Sequence, residues 1–277
     1  MNAVEAGSTI ECLLREPGLP RHEGEILLRG VLGCSRVHLI AHPEEAVDPR
    51  KAHSARAYFA RRRSGEPVAY ITGWREFYGL ALRVTPDVLI PRPETEQLVE
   101  LGLERLPLGA PARILELGTG SGAIAVALAS LRPESRITAT DISEKALELA
   151  QRNARDHAVT IEFARSDWFE SIDAGLFDLV VSNPPYVADG DPHLEHGDLR
   201  FEPSVALAGG ADGLACIRKI AAGARRSLRT GGSLLLEHGY DQGEACVALL
   251  RGLGYGGVAD FRDLAGLPRV CAASWRG

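Results

Sequence analysis

The stretch Phe177-Asp178-Leu179-Val180-Val181-Ser182-Asn183-Pro184-Pro185-Tyr186 organises the rest of this chain. Its first half carries aromatic and β-branched residues over a length typical of a buried strand. Two consecutive prolines then end the strand at Asn183, because proline has no backbone N–H to donate. Proline also keeps the residue before it out of the α region, so Asn183 is predicted to be extended or in a turn. The strand therefore carries a polar side chain to the edge of a sheet.

The residues that follow this strand are suited to holding a planar –NH2 group. Such a group donates two hydrogens, and the Asn183 side-chain oxygen and the Pro184 backbone carbonyl can accept one each. Tyr186 can stack on the plane of the same group. Asn-Pro and Pro-Pro also occur in ordinary turns, so the interpretation of this tetrapeptide depends on the sequence upstream.

The composition is typical of a globular protein in a reducing compartment. The 277 residues are 45% hydrophobic and 25% charged, which suffices for one large domain and a small one. A net charge of −6 disfavours a nucleic-acid partner without excluding one. Five scattered cysteines without a C-x-x-C pair indicate free thiols rather than disulfides or a zinc site. Without a signal peptide or a long apolar run, we expect a cytoplasmic protein that does not enter a membrane.

Residues 1–73 predict a small helical bundle, since apolar residues such as Ile10, Leu13 and Leu14 recur at helical spacing. The basic run from Arg50 to Arg63 contains no acid, and it is interpreted as a solvated helix face, with electrostatic docking of a partner as the alternative. Residues 74–92 predict a β-hairpin linker, with strands before and after a turn at Thr85-Pro86-Asp87.

Residues 93–277 predict strands that alternate with helices. Thr95 is a candidate N-cap for the first helix, which runs to about Leu106. The predicted strands are Arg113–Leu117, Arg136–Thr140, Thr160–Phe163, Phe177–Asn183, Ser233–Glu237, Val258–Arg262 and Arg269–Ser274. This alternation predicts an α/β fold with a largely parallel sheet covered on both faces.

Three predicted strand ends carry groups suited to a nucleoside ligand, which binds beyond the carboxyl ends of such strands. The turn Gly118-Thr119-Gly120-Ser121-Gly122 lets the backbone approach a ligand, and Asp141 is placed to accept from ribose hydroxyls. Asp167 and Trp168 can contact an adenine ring. The glycine spacing differs from the G-x-G-x-x-G of nicotinamide cofactor sites and favours S-adenosylmethionine. Glu116 or another nearby acid is expected to face its ammonium group.

Eight short motifs stand in a fixed order along the chain. They are Pro67–Gly73 (PVAYITG), Glu76–Gly79 (EFYG), Pro91–Glu96 (PRPETE), Gly118–Gly122 (GTGSG), Asp167–Phe169 (DWF), Asn183–Tyr186 (NPPY), Arg200–Pro203 (RFEP) and Glu237–Gly239 (EHG). In this order the chain resembles the peptide chain release factor glutamine methyltransferases from about residue 65 to its end. NPPY alone is shared with enzymes that methylate adenine amino groups, whereas its combination with PRPETE and RFEP is much more specific.

The resemblance implies a Rossmann-like class I S-adenosylmethionine-dependent methyltransferase domain, with a mostly parallel seven-stranded sheet, after an N-terminal helical substrate-docking domain. It implies methyl transfer to the side-chain amide nitrogen of the glutamine in the Gly-Gly-Gln motif of class I release factors. The product is N(5)-methylglutamine, which supports translation termination.

The resemblance also implies roles for site residues. The turn Gly118–Gly122, Asp141, Asp167, Trp168 and Asn183 are expected to contact the cofactor. Asn183, Pro184, Pro185 and Tyr186 are expected to hold the glutamine, with Tyr186 and Phe77 as walls. Asn183, Pro184 and Tyr186 are the candidate catalytic residues. The chain departs from the family at Glu116, where many relatives have Asp, and at Val187 and Cys271, where Ile and Thr are usual.

Two alternatives stay open at this point. The first is an adenine amino methyltransferase acting on DNA or RNA, which needs base flipping and a basic track. The second is a non-catalytic binding protein that keeps the nucleoside pocket. The expected partner is a class I release factor, without direct nucleic-acid contact, and the chain is expected to be a monomer. His193, His196 and His238 are interpreted as structural histidines.

Overall fold

The structure is a computed structural model that describes residues 8–16, 18–107, 109–172, 177–192 and 197–277. The described residues form two compact units. One unit contains residues 8–74 together with 197–201, and the other contains residues 75–192 and 202–277.

The first unit is helical, as predicted. Its helices are α1 (Ile10–Arg15), α2 (Arg21–Leu32), α3 (Arg36–Ala41), α4 (Pro49–Arg63) and α5 (Val68–Thr72). Ser35 caps α3 by accepting from the His38 N–H, and Asp48 caps α4 by accepting from the Arg50 N–H. Leu27, Leu28 and Phe59 are buried in the core of this unit. Capping and apolar spacing together explain why these segments are helices.

The basic run of α4 is paired with acids of the same unit. The pairs are Arg56 with Glu16, Arg61 with Glu66, and Arg62 with both Glu23 and Asp198. The Arg62 pairs are 2.8 and 2.9 Å long, and its side chain is only 19% exposed. Much of the run's charge is therefore neutralised inside the unit, which weakens its interpretation as a track for nucleic acid.

The predicted hairpin exists, but its turn lies elsewhere. Its strands are β1 (Trp74–Phe77) and β2 (Leu80–Arg83), joined at Tyr78 and Gly79. Both turn residues have positive φ, 51° and 75°, which is the backbone that a two-residue hairpin loop requires. A turn does form at the predicted position, where the Val88 N–H donates to the Thr85 carbonyl at 3.1 Å, but it does not join the two strands of the hairpin. Tyrosine rarely adopts a positive φ, so the usual sequence signal for the hairpin turn is absent at Tyr78. Residues 88–90 form no strand.

A carboxylate holds the hairpin turn in place. Glu96, in the first turn of α6 (Glu96–Arg105), accepts a 2.9 Å hydrogen bond from the Tyr78 N–H. Glu76 accepts from the Gly79 N–H at 2.6 Å. These two bonds satisfy the turn's backbone donors and compensate for the strained tyrosine.

The second unit contains one large sheet. Besides α6 its elements are β3 (Arg113–Leu117), α7 (Ala123–Leu131), β4 (Arg136–Asp141), α8 (Glu144–Asp156), β5 (Glu162–Arg165), β6 (Phe177–Ser182), α9 (Ala215–Ser227), β7 (Leu228–Glu237), α10 (Gly243–Gly252), β8 (Gly256–Arg262) and β9 (Pro268–Ser274). Within the described residues, seven strands pair in the order β5-β4-β3-β6-β7-β9-β8. Strand β9 pairs antiparallel with both β7 and β8, and the other neighbouring strands pair in parallel. The predicted Rossmann-like architecture is confirmed.

Alternation along the central strands builds a core on each face of the sheet. Ile114 of β3 packs into the cluster that contains α7, whereas the next residue, Leu115, packs into the cluster that contains α9. Leu179 and Val180 of β6 divide in the same way. Because side chains of a strand alternate between faces, these apolar runs can be buried only if helices cover both sides.

The cysteines are free thiols, of which Cys246 and Cys271 are buried and Cys12 is exposed. No helix in the described ranges combines the length and the apolar character needed to cross a bilayer. A search of the same residues finds no group of His, Cys, Asp or Glu side chains arranged to hold a metal ion.

Candidate active site

A cavity of about 310 Å³ lies at the carboxyl ends of the central strands of the second unit. It is lined by the residues that follow β3, β4, β5 and β6, among them Gly118, Asp141, Trp168 and Asn183. Strand order reverses between β3 and β6, which is where sheets of this type bind ligands. We call this space the strand-end cavity.

The glycine turn after β3 leaves bare backbone at the cavity. A side chain built at Gly120, whose φ is 55°, would meet no atom within 4 Å, so this position opens onto free space. At Gly122, whose φ is 84°, a Cβ would lie 3.0 Å from the Ala150 Cβ on α8. Gly120 therefore leaves room for a ligand, whereas Gly122 permits α7 and α8 to approach closely.

Asp141 stands at the end of β4 and ties the glycine turn to α8. Its carboxylate accepts from the Gly120 N–H and from the Ser143 N–H, each at 2.9 Å. Burial raises the pKa of Asp141, and the backbone donors partly offset this effect. Each carboxylate oxygen can accept more than one hydrogen bond, so Asp141 can still serve a ribose.

Glu116 is buried beneath the turn and is 1% exposed. It accepts from the Thr119 hydroxyl at 2.6 Å and from the Ala125 N–H at 3.1 Å. Burial raises its pKa to about 8, against the two hydrogen bonds, which lower it. Glu116 lines the strand-end cavity, so it is positioned to stabilise a cationic group there.

Asp167 and Trp168 both line the cavity after β5. The backbone of Trp168 is left-handed, with φ 52°, which is uncommon for a bulky residue. A Cβ at Gly118 would lie 3.8 Å from the Trp168 ring, so the indole packs beside the bare backbone of the first glycine. The structure therefore brings the predicted aromatic and the glycine turn together.

Asn183, after β6, is held by Thr95. Its Nδ2 donates to the Thr95 Oγ1 at 3.0 Å. Within the described residues no donor reaches the Asn183 side-chain oxygen. Thr95 precedes α6 as predicted, but its backbone is already helical and its side chain makes no capping bond. Its hydroxyl accepts from Asn183 instead. Asn183 can therefore present an acceptor to the cavity that it lines.

The next three residues differ in their placement. Pro185 lines the strand-end cavity, whereas Pro184 is buried and Tyr186 packs against the core on the α9 face. The Tyr186 hydroxyl donates to Glu237 Oε1 at 3.1 Å. Burial, followed by the charge of Glu237, raises the pKa of Tyr186. The Tyr186 hydroxyl is therefore occupied by Glu237, and only its ring is left to contact a substrate.

Two glycines and one amide lock the turn that contains these prolines. A Cβ at Gly213 would lie 2.4 Å from the Tyr186 carbonyl oxygen, and one at Gly209 would lie 2.8 Å from the Pro185 carbonyl oxygen. The Gln242 side chain donates to the Tyr186 carbonyl at 2.9 Å. The run Gly209-Gly210-Ala211-Asp212-Gly213 was a sequence signal for this close approach.

A loop that the sequence reasoning missed forms one wall of the cavity. Pro203, Val205, Ala206 and Ala208 all line it. The loop is fixed because the Val187 N–H donates to the Leu207 carbonyl at 3.0 Å, and the Gly209 N–H donates to the Val187 carbonyl at 2.7 Å. The RFEP motif marked its beginning, but loops carry no periodic pattern that would have shown its role.

The RFEP and PRPETE motifs meet at Glu202. Its side chain is fully buried and pairs with Arg92, and it also accepts from the Ile90 N–H at 3.3 Å. A buried carboxylate needs such partners to remain charged. This contact explains why two stretches that lie 110 positions apart belong to one site.

Glu237, at the end of β7, is 1% exposed. Burial raises its pKa to about 7, while the hydroxyls of Thr95 and Tyr186 lower it. Its Oε2 has no hydrogen-bond partner among the described residues. Sequence reasoning singled out the EHG motif but did not assign Glu237 to the site.

The histidines agree with a structural interpretation where they can be seen. His238 is fully buried, and both ring nitrogens have partners, the Gly239 carbonyl at 2.8 Å and Asp260 at 3.1 Å. His193 and His196 lie outside the described residues.

Phe77 requires a correction, because the structure does not place it at the cavity. Its side chain is 1% exposed and packs in the core with Leu82 and Leu98. Its neighbours in sequence form the hairpin turn, and the alternation of β1 directs Phe77 inward. Phe77 supports the hairpin and is not a wall of the site.

Comparisons with known proteins agree with this architecture. The family model described as "Methyltransferase small domain" matches residues 97–198, and "PrmC N-terminal domain" matches residues 6–73. A methyltransferase from Pyrococcus furiosus superposes with a TM-score of 0.55 at 22% identity, covering 79% of this chain and 97% of that one. The T. thermophilus 16S rRNA N2 G1207 methyltransferase, solved with AdoMet and guanosine, gives 0.54 at 22% identity, covering 73% and 50%. At this identity these two likenesses show the fold alone.

Sequence relatives match along nearly the whole chain. The release factor glutamine methyltransferase of Bordetella pertussis is 50% identical over 93% of this chain and 96% of the relative. The enzyme of the same name from Neisseria gonorrhoeae is 50% identical over 91% and 92%, and that from Escherichia coli is 48% identical over 91% of each. The chain therefore belongs to the release factor glutamine methyltransferases.

Proposed function

We propose that this methyltransferase transfers the methyl group of S-adenosylmethionine to the side-chain amide nitrogen of the glutamine in the Gly-Gly-Gln motif of class I peptide chain release factors. The product would be N(5)-methylglutamine. The observation that carries the proposal is the bond from Asn183 Nδ2 to Thr95, which leaves the Asn183 oxygen available as an acceptor. Membership of the family supports the choice of substrate.

The chemistry of the strand-end cavity fits the proposed cofactor. Gly120 leaves free space over the backbone, and Glu116 and Asp141 supply buried acids for an ammonium group and for ribose hydroxyls. Asp167 and Trp168 would receive the adenine amino group and ring, and the turn Gly118–Gly122 would surround the methionine part. When bound, S-adenosylmethionine supplies an electrophilic methyl group on a positively charged sulfur.

The side chains after β6 would prepare the glutamine nitrogen. An amide nitrogen is a weak nucleophile, because its lone pair is delocalised into the carbonyl. If the Asn183 oxygen and the Pro184 carbonyl each accept one of its hydrogens, the nitrogen is oriented towards the methyl carbon. Both acceptors also stabilise the positive charge that the nitrogen gains during transfer.

No strong base is needed before attack in this mechanism. Burial raises the pKa of Tyr186, so its hydroxyl stays protonated, and it already donates to Glu237. This hydroxyl is therefore not available as a base. The proton would leave afterwards to water. Tyr186 is proposed as a wall beside the glutamine carboxamide, and Pro185 as a second contact from the turn.

We propose that the helical residues 1–73 form a substrate-docking domain, with 74–92 as a linker and 93–277 as the methyltransferase domain. The docking surface would carry charges of both signs, since arginines of α4 are paired with acids. The same pairing disfavours a DNA or RNA substrate. The chain would act as a monomer in the cytoplasm, where translation termination takes place.

The proposal is tested by incubating the purified chain with methyl-labelled S-adenosylmethionine and one acceptor at a time. The acceptors are a class I release factor, the same factor with Asn in place of the Gly-Gly-Gln glutamine, duplex DNA and ribosomal RNA. We expect label in the unaltered release factor alone. Label in nucleic acid would support adenine methylation instead, and no label in any acceptor would support a binding protein.

A further inference from the structure

A buried asparagine on α8 has no part in the site described so far. Every residue of α8 is described, and among its buried residues only Asn153 is polar. Asn153 is 0% exposed. Asparagine is less favourable than alanine inside a helix, and a buried amide group costs free energy unless it is hydrogen-bonded. The reason for this residue must therefore lie in the groups that it binds.

The Asn153 amide group is bonded to the backbone of two separate segments. Its Nδ2 donates to the Ser121 carbonyl at 2.8 Å and to the Arg83 carbonyl at 3.0 Å. Its Oδ1 accepts from the Arg83 N–H at 2.8 Å. A backbone N–H can only donate and a carbonyl can only accept, so these three bonds fix the orientation of the amide group. Asn153 thus links the last residue of β2 to the glycine turn after β3.

The bond to Ser121 fixes one peptide group of the glycine turn. The carbonyl of that group, from Ser121, accepts from Asn153, and its N–H, from Gly122, donates to the Thr119 carbonyl at 2.8 Å. Because both ends of the peptide group are bonded, its plane cannot rotate without the loss of a hydrogen bond. Ser121 lines the strand-end cavity, so this plane helps to set the backbone surface that a ligand would meet.

Close packing of α8 on the turn makes this bond possible. A Cβ built at Gly122 would lie only 3.0 Å from the Ala150 Cβ. Ala150 and Asn153 are three positions apart, so they lie on the same face of α8. The bare backbone of Gly122 therefore lets the helix come near enough for Asn153 to reach the Ser121 carbonyl.

The bonds to Arg83 place a second part of the cavity wall. Arg83 ends β2, and the chain then leads to Asp87, Val88 and Leu89, which line the cavity. Asn153 holds both the N–H and the carbonyl of Arg83, as an opposite residue on a neighbouring strand would. One side chain therefore anchors both the start of this segment and the glycine turn.

We propose that Asn153 is a positioning residue for the cofactor, which holds the glycine turn and the segment 87–89 at the separation that S-adenosylmethionine needs. The inference rests on the proposed function, because it takes the strand-end cavity as the cofactor site. Asn153 does not itself line the cavity, so it acts through the backbone of Ser121 and Arg83. Without its side chain, two carbonyls and one N–H lose a partner, and the turn can leave the geometry that the cofactor fits.

Positioning and a purely structural role of Asn153 change different quantities. A substitution that only destabilises the fold removes active molecules, so kcat per mole of chain falls while the folded molecules keep their Kd for the cofactor. A substitution that misplaces the turn raises the Kd of every folded molecule. Calorimetric titration separates the two, because the stoichiometry reports the fraction of competent molecules and the curve shape reports their Kd.

Asn153→Ala is the first test. We expect the Kd for S-adenosylmethionine to rise by about 10-fold, the equivalent of one net hydrogen bond. At saturating cofactor, kcat per competent molecule and KM for the release factor should change less than about threefold. Asp156→Ala is the matched control, because it removes a 2.6 Å bond from the same helix to the Arg83 side chain but none to the turn. Its Kd should stay within about twofold of the wild type.

A Kd that stays within about twofold in Asn153→Ala, or an equal rise in Asp156→Ala, would overturn the proposal. If the wild type binds S-adenosylmethionine and Asn153→Ala weakens it as expected, but no release factor is methylated, the proposed substrate is wrong and the positioning role stands. If the wild type binds no S-adenosylmethionine, the proposed cofactor is wrong and the positioning role falls with it.

A second measurement uses the wild-type chain, and it decides the matter if Asn153→Ala does not fold. A ligand that binds only the ordered turn suppresses its opening, and Asn153 should carry this effect to β2. We expect saturating S-adenosylhomocysteine to slow hydrogen exchange of the Arg83 N–H by about fivefold or more. The Tyr255 N–H, which donates to the Leu250 carbonyl at 3.1 Å and does not line the cavity, should keep its rate. Slower exchange at Gly120 without any change at Arg83 would contradict the positioning role.

Discussion

The Thr95 hydroxyl oxygen accepts a hydrogen bond of 3.0 Å from the Asn183 amide nitrogen, although the two residues lie 88 positions apart. The bond joins the PRPETE motif to the NPPY motif. It holds the Asn183 side chain in place before any substrate arrives, which is the preorganisation that electrostatic catalysis requires. Thr95, at the start of α6, thus holds the side chain of Asn183 at the end of β6.

Removal of the Asn183 acceptor should impair the chemical step more than cofactor binding. For Asn183→Ala we expect kcat to fall by about 100-fold or more, as for other preorganised groups that stabilise charge in a transition state. The Kd for S-adenosylmethionine should weaken by less than about tenfold, since many other residues line the cavity. Single-turnover kinetics and calorimetric titration measure the two effects. Near-normal turnover would refute the role of Asn183.

Asp141 should affect the cofactor rather than the glutamine. Asp141→Asn leaves one acceptor oxygen for the Gly120 and Ser143 N–H groups, which now compete with a ribose. We expect the Kd for S-adenosylmethionine to rise by about 10- to 100-fold, the equivalent of a lost hydrogen bond to a charged group. Calorimetry gives the affinity, with Glu100→Gln as the control for charge removal. An unchanged Kd would mean that Asp141 only holds the turn.

The close approach of α7 and α8 should be visible in stability. Gly122→Ala places a Cβ 3.0 Å from the Ala150 Cβ, at a φ of 84°. Gly254 has a matching φ of 87° but nothing within 4 Å, so Gly254→Ala reports the backbone strain alone. We expect Gly122→Ala to lower the free energy of unfolding by about 1 to 3 kcal/mol more than Gly254→Ala does, because overpacked helices must shift. Denaturant unfolding of both variants measures this difference, and equal losses would contradict it.

The central sheet was predictable because its signals are local and repeated. The apolar run of β6 ends at two prolines, and the glycines after β3 break the chain where the backbone must turn. Those signals place Asp141, Trp168 and Asn183 at neighbouring strand ends in a parallel sheet, and the structure brings all three to one cavity. The location of the site in the fold could therefore be predicted from the sequence.

The partners of these residues could not be predicted in the same way. Thr95 looks like an N-cap in sequence, and only the tertiary fold shows that its hydroxyl is used for Asn183. The hairpin turn falls at Tyr78, where a positive φ overrides the propensity of tyrosine because Glu96 binds the turn. The wall at 203–208 is a loop whose position depends on contacts with Val187. In each of these three places the structure depends on hydrogen bonds between residues that are far apart in the sequence.

Glu116 should make stability fall as the pH rises. Its pKa is about 8 in the folded chain against 4.5 for the free group, so between these values the folded state binds more protons than the unfolded state. Stability is then highest below about pH 4.5 for this group alone and declines towards pH 8.

Glu116→Gln removes that decline while leaving the contributions of Glu237 and Asp141 in place. The free energy of unfolding of the wild type, relative to the variant, should fall between pH 5 and pH 8 by on the order of a few kcal/mol. Denaturant unfolding at the two pH values gives this difference. Parallel pH dependence in the two proteins would show that Glu116 is ionised with little cost.

The location of the transferred methyl group tests the central claim most directly. A class I release factor is incubated with the chain and S-adenosylmethionine, digested and fragmented in a mass spectrometer. We expect one added methyl on the side-chain nitrogen of the Gly-Gly-Gln glutamine, lost in the Asn183→Ala reaction. A methyl group on any other residue, or an unmodified factor after prolonged reaction, would contradict the claim that Asn183 and Pro184 hold a glutamine carboxamide for methylation.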